Sequence, residues 1–307
     1  MKFDFRRLSL VAALSTAVLA LAACSSADGA EGTSSSAAAG APIAVVTSTN
    51  VWGDIVKQVG GDAVAVTSVI SDPSADPHSY EANAQTQLAL AKAQLIVQNG
   101  GGYDDFMDRM LASSNGSVLN AVQISGKAAA AGEELNEHVW YDFPTVDKVA
   151  AQVATELGVI DPANATTFTA NAAAFSGKLA GLTGEVEAIK AAHAGTPIAI
   201  TEPVPLYLTD AADLVNKTPA PFSEAIEEGT DVAPTVLQDT LGLFTGKQVA
   251  VLVYNEQTAS PETEKLLAAA TENSIPAVGF AETLPAGEDY VSWMDSNITA
   301  LSAALGG

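Results

Sequence analysis

Histidine, cysteine, aromatic residues and positive charge are all in short supply in this chain. Its 307 residues include three histidines, one cysteine and 6% aromatic residues, with 13 Lys and Arg against 36 Asp and Glu. A single cysteine, Cys24, excludes any disulfide within the chain, so cysteine pairing says nothing about redox compartment. The net charge of −23 excludes a nucleic-acid interface, because phosphates must be met by Lys and Arg. The HExxH signature of zinc peptidases is missing, and Gly100-Gly101-Gly102 lacks the dinucleotide-binding GxGxxG spacing and predicts a turn. What is present is apolar material: 48% hydrophobic residues, enough for two domains of the usual roughly 100–200 residues. With few aromatics and much alanine, their cores are built from small aliphatic side chains.

The first residues carry an address. Lys2, Arg6 and Arg7, with Asp4 among them, precede an apolar run from Leu8 to Ala23. That is the charge-then-apolar order of a secretory signal, and the run is too short and alanine-rich for a membrane span. It ends in Leu21-Ala22-Ala23-Cys24, similar to the lipobox of bacterial lipoproteins, with Ser25-Ser26 following. Residues 1–23 are therefore expected to be a lipoprotein signal peptide, and the Cys24 thiol to carry a diacylglycerol anchor on the outer face of the cell membrane. Residues 24–41, rich in Ser, Ala and Gly, predict a flexible tether.

Beyond the tether, apolar strands alternate with helical patterns. Strands are expected at 43–46, 62–70, 95–97 and 118–124, with helices at 51–59, 82–93, 103–111 and 145–157 between and after them. In the second half, strands at 197–200, 249–253 and 276–280 alternate with helices at 204–215, 221–228, 234–245, 261–273 and 288–305. Such alternation implies α/β lobes with parallel-type sheets covered by helices. Between the halves, Phe168, Phe175, Leu182 and Ile189 recur every seven residues, with Ala172, Leu179 and Val186 interleaved. That is one apolar stripe on one long helix, read as core. Gly177, Gly181 and Gly184 weaken it and leave either close packing or a bend open.

Chemistry-bearing residues gather at loops. His78 sits in Asp76-Pro77-His78-Ser79-Tyr80, stiffened by Pro73 and Pro77. His138 begins His138-Val139-Trp140-Tyr141-Asp142, after the polar insert 126–137, which contains no histidine. Glu202, Glu256 and Glu282 each fall just past the C-terminal end of a predicted strand, where open α/β sheets place ligands. An acid between a buried strand and a proline, as in Thr201-Glu202-Pro203, is costly unless paired or metal-bound. His193, in the polar end of the long helix, reads as solvated.

Taken together, residues 42–307 resemble the cluster A-I metal-binding receptors of bacterial ABC importers for zinc or manganese. The carriers are Asp76–Glu81 with the helix ending Leu90-Ala91-Lys92-Ala93, His138-Val139-Trp140 with Asp142, Glu202 with Tyr207, and Phe280-Ala281-Glu282-Thr283. The resemblance implies two α/β lobes joined by one long connecting helix: an N-terminal metal-binding lobe at 42–145, a helical region at 146–195 and a C-terminal metal-binding lobe at 196–307. It implies His78, His138, Glu202 and Glu282 as ligands of one divalent ion, with Glu256 and Asp142 supporting them from behind. Two departures stand out. Asn136-Glu137 replaces the family's usual Asp-Pro before the second histidine, and Glu282 replaces the usual Asp, a methylene that either loosens the site or makes it bidentate.

Imidazole suits Zn²⁺ and carboxylates draw a site towards Mn²⁺ or Fe²⁺. The donor set is intermediate, and the missing His-rich loop leans towards manganese. Implied partners are an ABC permease with its ATPase and, through the anchor at Cys24, the membrane; the receptor itself is expected to be a monomer and not an enzyme. The rival classes are a surface adhesin, whose organic ligand would need more aromatic walls than these loops offer, and a secreted metalloenzyme. Catalytic zinc usually keeps three protein ligands and an open position.

Overall fold

The alternation read from the sequence becomes two all-parallel sheets. The computed structural model describes residues 41–72, 80, 83–112, 114–129 and 135–306. The signal peptide, Cys24, nearly all of the tether and His78 lie outside the described residues. The first lobe runs β1 (Ile43–Thr49), α1 (Asn50–Gly60), β2 (Val64–Ile70), α2 (Ala84–Lys92), β3 (Leu95–Gln98), α3 (Asp105–Leu111), β4 (Ser117–Asn120) and α4 (Ala121–Ser125). Its strands lie in the order β2-β1-β3-β4, every pair parallel. The expected strand at 118–124 is corrected here. It stops at Asn120, whose side chain accepts the Gln123 N–H at 2.9 Å and caps a short helix instead.

Two helices follow, α5 (Phe143–Ile160) and α6 (Ala165–His193). The second lobe runs β5 (Pro197–Ile200), α7 (Leu206–Ala211), β6 (Val215–Asn216), α8 (Ala220–Glu227), α9 (Pro234–Thr245), β7 (Val251–Asn255), α10 (Pro261–Glu272), β8 (Ala277–Phe280) and α11 (Tyr290–Leu305). Its order, β6-β5-β7-β8, repeats that of the first sheet, again parallel. The helix expected over 204–215 is shorter: Asp213, at φ 57°, turns the chain out of it, and Val215–Asn216 joins the sheet edge. The strand expected at 249–253 begins two residues later and extends to Asn255, which brings that side chain to the sheet's C-terminal edge.

The 29-residue α6 is about 43 Å long. It packs on α1 and α5 at one end and on α7 and α11 at the other. All seven stripe residues, Phe168, Ala172, Phe175, Leu179, Leu182, Val186 and Ile189, are buried. A methyl group added at Gly177, Gly181 or Gly184 would meet nothing within 4 Å, so close packing is not what these glycines serve. The triple glycine is a turn, as expected. Gly100, Gly101 and Gly102 all have positive φ, and Asp104 receives the N–H groups of Asn99 and Gly100 at 2.6 and 2.7 Å.

One continuous apolar cluster passes from Ile43 through the α6 stripe to Leu301 and so belongs to both lobes. Hydrogen bonds stitch the same boundary. Asn50 exchanges a pair of bonds with the Leu284 backbone, each at 2.9 Å, Tyr141 OH donates to the Ala281 carbonyl at 2.7 Å and Tyr290 OH to the Trp140 carbonyl at 2.5 Å. A core shared in this way resists wide opening of the lobes, since separating them would expose apolar surface at roughly 25 cal/mol per Å².

Candidate metal centre

In the second lobe, β5 is flanked by β6 and β7, so the chain leaves it first to one side and then to the other. Ligands of open α/β sheets gather at such a switch point. β5 runs into Glu202, β7 ends at Asn255, and β8 runs into Glu282. Glu202 and Glu282 are each 2% exposed. The Asn255 amide spans them, its Nδ2 donating to Glu202 Oε2 at 2.5 Å and to Glu282 Oε1 at 2.7 Å. Gln257 braces the neighbouring loop, accepting the Glu282 N–H at 2.5 Å and donating to Thr283 Oγ1 at 2.7 Å.

The first lobe contributes His138, fully buried, immediately before a tight turn at Val139–Tyr141. The rings of Trp140 and Tyr103 stand 5.1 and 5.9 Å from the imidazole, centroid to centroid. Asn136 fixes its tautomer. The Asn136 Nδ2 donates to the Pro203 carbonyl at 3.0 Å, so its Oδ1 faces the imidazole, accepting from the His138 N–H at 3.0 Å and from Nδ1 at 2.8 Å. With Nδ1–H held by Asn136, the proton that the imidazole loses is the one on Nε2, and its loss leaves there the lone pair that a metal needs. Nε2 lies 3.2 Å from Glu227 Oε1 and 4.0 Å from Glu282 Oε2.

The electrostatics of this cluster are unbalanced. Burial alone would lower the basicity of His138, but Glu227 beside it, with Glu137 and Glu282, raises its pKa to about 9. Burial pushes the Glu202 carboxyl up to about 8, against the Asn255 bond that lowers it and with repulsion from Glu227 and Glu282 adding to the rise. Near neutrality the cluster therefore holds two displaceable protons. Glu202 Oε1 is buried and accepts no hydrogen bond among the described residues. Buried carboxylates around a lone-pair nitrogen are the environment that a divalent cation stabilises, since it supplies the missing positive charge. Among the described residues, no three His, Cys, Asp or Glu side chains already stand at metal-holding spacing.

Of the expected ligands, His138, Glu202 and Glu282 come together from three loops, and His78 lies outside the described residues. The two residues expected to support them make other contacts. Glu256 is exposed, with its carboxylate lying over Gly279, and the adjacent Asn255 holds the two acids instead. Asp142 caps α5 through the N–H and hydroxyl of Thr145 and pairs with Lys127 at 3.2 Å, while Asn136 supports the imidazole. Glu227 was not singled out in the sequence. Its only signal there is an acid four residues after Ser223, on the inward face of α8.

Two parallel sheets of the same order, one long helix between them and an ionic cluster buried where the lobes meet define a two-lobed α/β binding fold. The chain matches the profile of the family described as zinc-uptake complex component A, periplasmic, over residues 45–304, and it belongs to that family. It is 28% identical to the manganese-binding lipoprotein MntA of Halalkalibacterium halodurans over 140 residues, 44% of this chain and 46% of the relative. It is 26% identical to the manganese ABC transporter substrate-binding lipoprotein PsaA of Streptococcus pneumoniae over 197 residues, 59% of this chain and 61% of the relative. The chain thus spans about half to three fifths of the length of these curated relatives. The fold is also that of the periplasmic zinc-binding protein TroA from Treponema pallidum, with a TM-score of 0.74 at 21% identity, covering 87% of this chain and 99% of TroA.

Proposed function

We propose that the protein is an extracytoplasmic receptor that captures one divalent transition-metal ion, Zn²⁺ or Mn²⁺, and delivers it to an ABC permease and its ATPase. The observation that carries this reading is the buried His138 Nε2, with its lone pair directed by Asn136, facing carboxylates from the other lobe. His138, Glu202 and Glu282 bind the ion, and His78, outside the described residues, completes the set. Capture expels the two protons held near neutral pH and replaces them with one divalent charge, so the ion is the group that makes the buried acids tolerable. The donors come from both lobes, so the ion itself ties the lobes together, and the permease can sense occupancy at their joint surface. The relatives named as manganese-binding lipoproteins and a zinc-binding protein support this cargo.

Residues 1–23 act as the signal peptide, Cys24 carries the lipid, and residues 24–41 tether a monomeric receptor to the membrane. No helix among the described residues is long and apolar enough to cross it. Titration of the metal-stripped protein should show one bound equivalent of Mn²⁺ or Zn²⁺. That equivalent should vanish in His138→Ala and in His78→Ala; full binding in the His138 variant would remove the site from this position.

A further inference from the structure

We infer that Glu227 is an additional donor to the transported ion, a fifth side chain outside the expected set of His78, His138, Glu202 and Glu282, and that it biases the site towards oxygen-preferring ions such as Mn²⁺. The inference rests on the metal-receptor reading and deepens it.

Glu227 ends α8, whose buried residues are Phe222, Ser223 and Ile226. Its side chain is only 11% exposed and its Oε1 stands 3.2 Å from His138 Nε2, closer than Glu282 Oε2 at 4.0 Å. Donors held by one ion at about 2.0–2.1 Å in a tetrahedral array are about 3.3 Å apart. The Glu227–His138 contact is an ion pair without the ion, and its spacing is also that of two donors on one ion, so the same pair can close on a cation without moving far. An acid at this position also works against its helix. A carboxylate in the last turn of a helix opposes the negative end of the helix dipole, and here two further buried acids lie in the same cluster. Of these, Glu202 keeps Oε1 buried with no hydrogen bond among the described residues.

Glu227 also faces a cavity. It lines a cavity of about 410 Å³ together with Asn136, Glu137, Pro203, Leu206 and Ser223. His138, at 0% exposure, is not reached by solvent. Of the carboxylates that line this cavity, which include Glu137, Glu224 and Glu228, Glu227 is the one within 3.2 Å of the His138 Nε2. A third carboxylate beside His138 raises the oxygen share of the donor set, and oxygen ligands favour Mn²⁺ relative to Zn²⁺.

The test compares Glu227→Gln and Glu227→Asp with the full chain, metal-stripped, by titration with Mn²⁺ and Zn²⁺, with a thermal melt confirming folding. Loss of a merely supporting residue also weakens metal sites, by about 10–100-fold, but changes no donor atom, so the ratio of the two affinities is the deciding readout. In Glu227→Gln the Mn²⁺ affinity should fall by at least tenfold more than the Zn²⁺ affinity, with partial recovery in Glu227→Asp. The visible spectrum of bound Co²⁺ should change in the Gln variant, because a donor has been replaced. Equal losses for both ions with an unchanged Co²⁺ spectrum, or no loss at all, would overturn the assignment and leave the receptor reading intact. Failure of the unsubstituted protein to take up any of these ions would overturn both.

Discussion

Asn136 Oδ1 lies 2.8 Å from His138 Nδ1, while the same amide donates to the Pro203 carbonyl of the other lobe at 3.0 Å. One side chain therefore orients the His138 imidazole and ties the lobes beside it. Tyr207 adds to the tie, its hydroxyl donating to the Asn136 carbonyl at 2.6 Å. Asn136-Glu137 stands where the family usually has Asp-Pro; the amide supplies both an acceptor for the imidazole and a donor that an ionised aspartate lacks.

Replacing this residue separates orientation from coordination. Asn136→Ala should weaken Mn²⁺ and Zn²⁺ alike by about 10–100-fold, the usual effect of losing a partner behind a metal-bound imidazole. Competition titration against a chelator measures it. Undiminished affinity would mean that Nε2 is directed by something else.

Asn255 contributes most when no ion is bound. Its Nδ2 reaches both Glu202 and Glu282, so Asn255→Ala leaves two buried carboxylates without that donor. A loss of about 2–4 kcal/mol in metal-free stability is expected, from roughly 1–3 kcal/mol per buried polar group left unmade. Urea unfolding with and without Mn²⁺ checks this, and the loss should shrink when the ion is present. Equal losses in both conditions would place the effect outside the site.

The two raised pKa values fix the direction of the pH dependence. His138 rises from 6.5 to about 9 and Glu202 from 4.5 to about 8, so the native state holds both protons more tightly than the unfolded chain does. The His138 contribution is complete below about pH 6.5 and is lost as pH rises through about 9. The Glu202 contribution is complete below about pH 4.5 and is lost through about 8. The metal-free protein should therefore melt progressively lower from about pH 6 to pH 9. Bound metal requires both groups deprotonated, so its affinity rises over the same range. Melting curves with and without Mn²⁺ should diverge with increasing pH; a constant gap would contradict the linkage.

The long helix offers an opposed pair of substitutions. Phe175 is 2% exposed within the shared core, and Phe175→Ala should cost about 3–5 kcal/mol. A Cβ at Gly181 meets nothing within 4 Å, so Gly181→Ala should stabilise by about 0.5–1 kcal/mol. Chemical denaturation distinguishes the signs, and a loss at Gly181 would show that the helix needs a bend there.

Much of this was legible in the chain because strand ends and helix faces have local signatures. The seven-residue stripe from Phe168 to Ile189 named the whole buried face of α6, and Glu202 and Glu282 stand out in the sequence, both buried, because acids just past strands are conspicuous. Residues acting across the boundary between lobes were harder to see. Glu227 stands in Glu224-Ala225-Ile226-Glu227-Glu228, where an acid that turns inward looks like its solvated neighbours. Asn255 was passed over for Glu256 because the strand runs farther than its apolar residues, and that reverses which side chain faces the cluster. Asp142 looked like a partner for His138 from proximity in sequence, yet a residue just before Pro144 and a helix serves first as its cap.

The most direct measurement is the anomalous scattering of Mn²⁺ in crystals of the loaded protein, recorded on either side of the manganese absorption edge. One peak is expected, within about 2.0–2.3 Å of His138 Nε2 and of carboxylate oxygens of Glu202 and Glu282. A peak remote from His138, or bound ion that leaves Glu202 and Glu282 uncoordinated, would contradict the proposed centre.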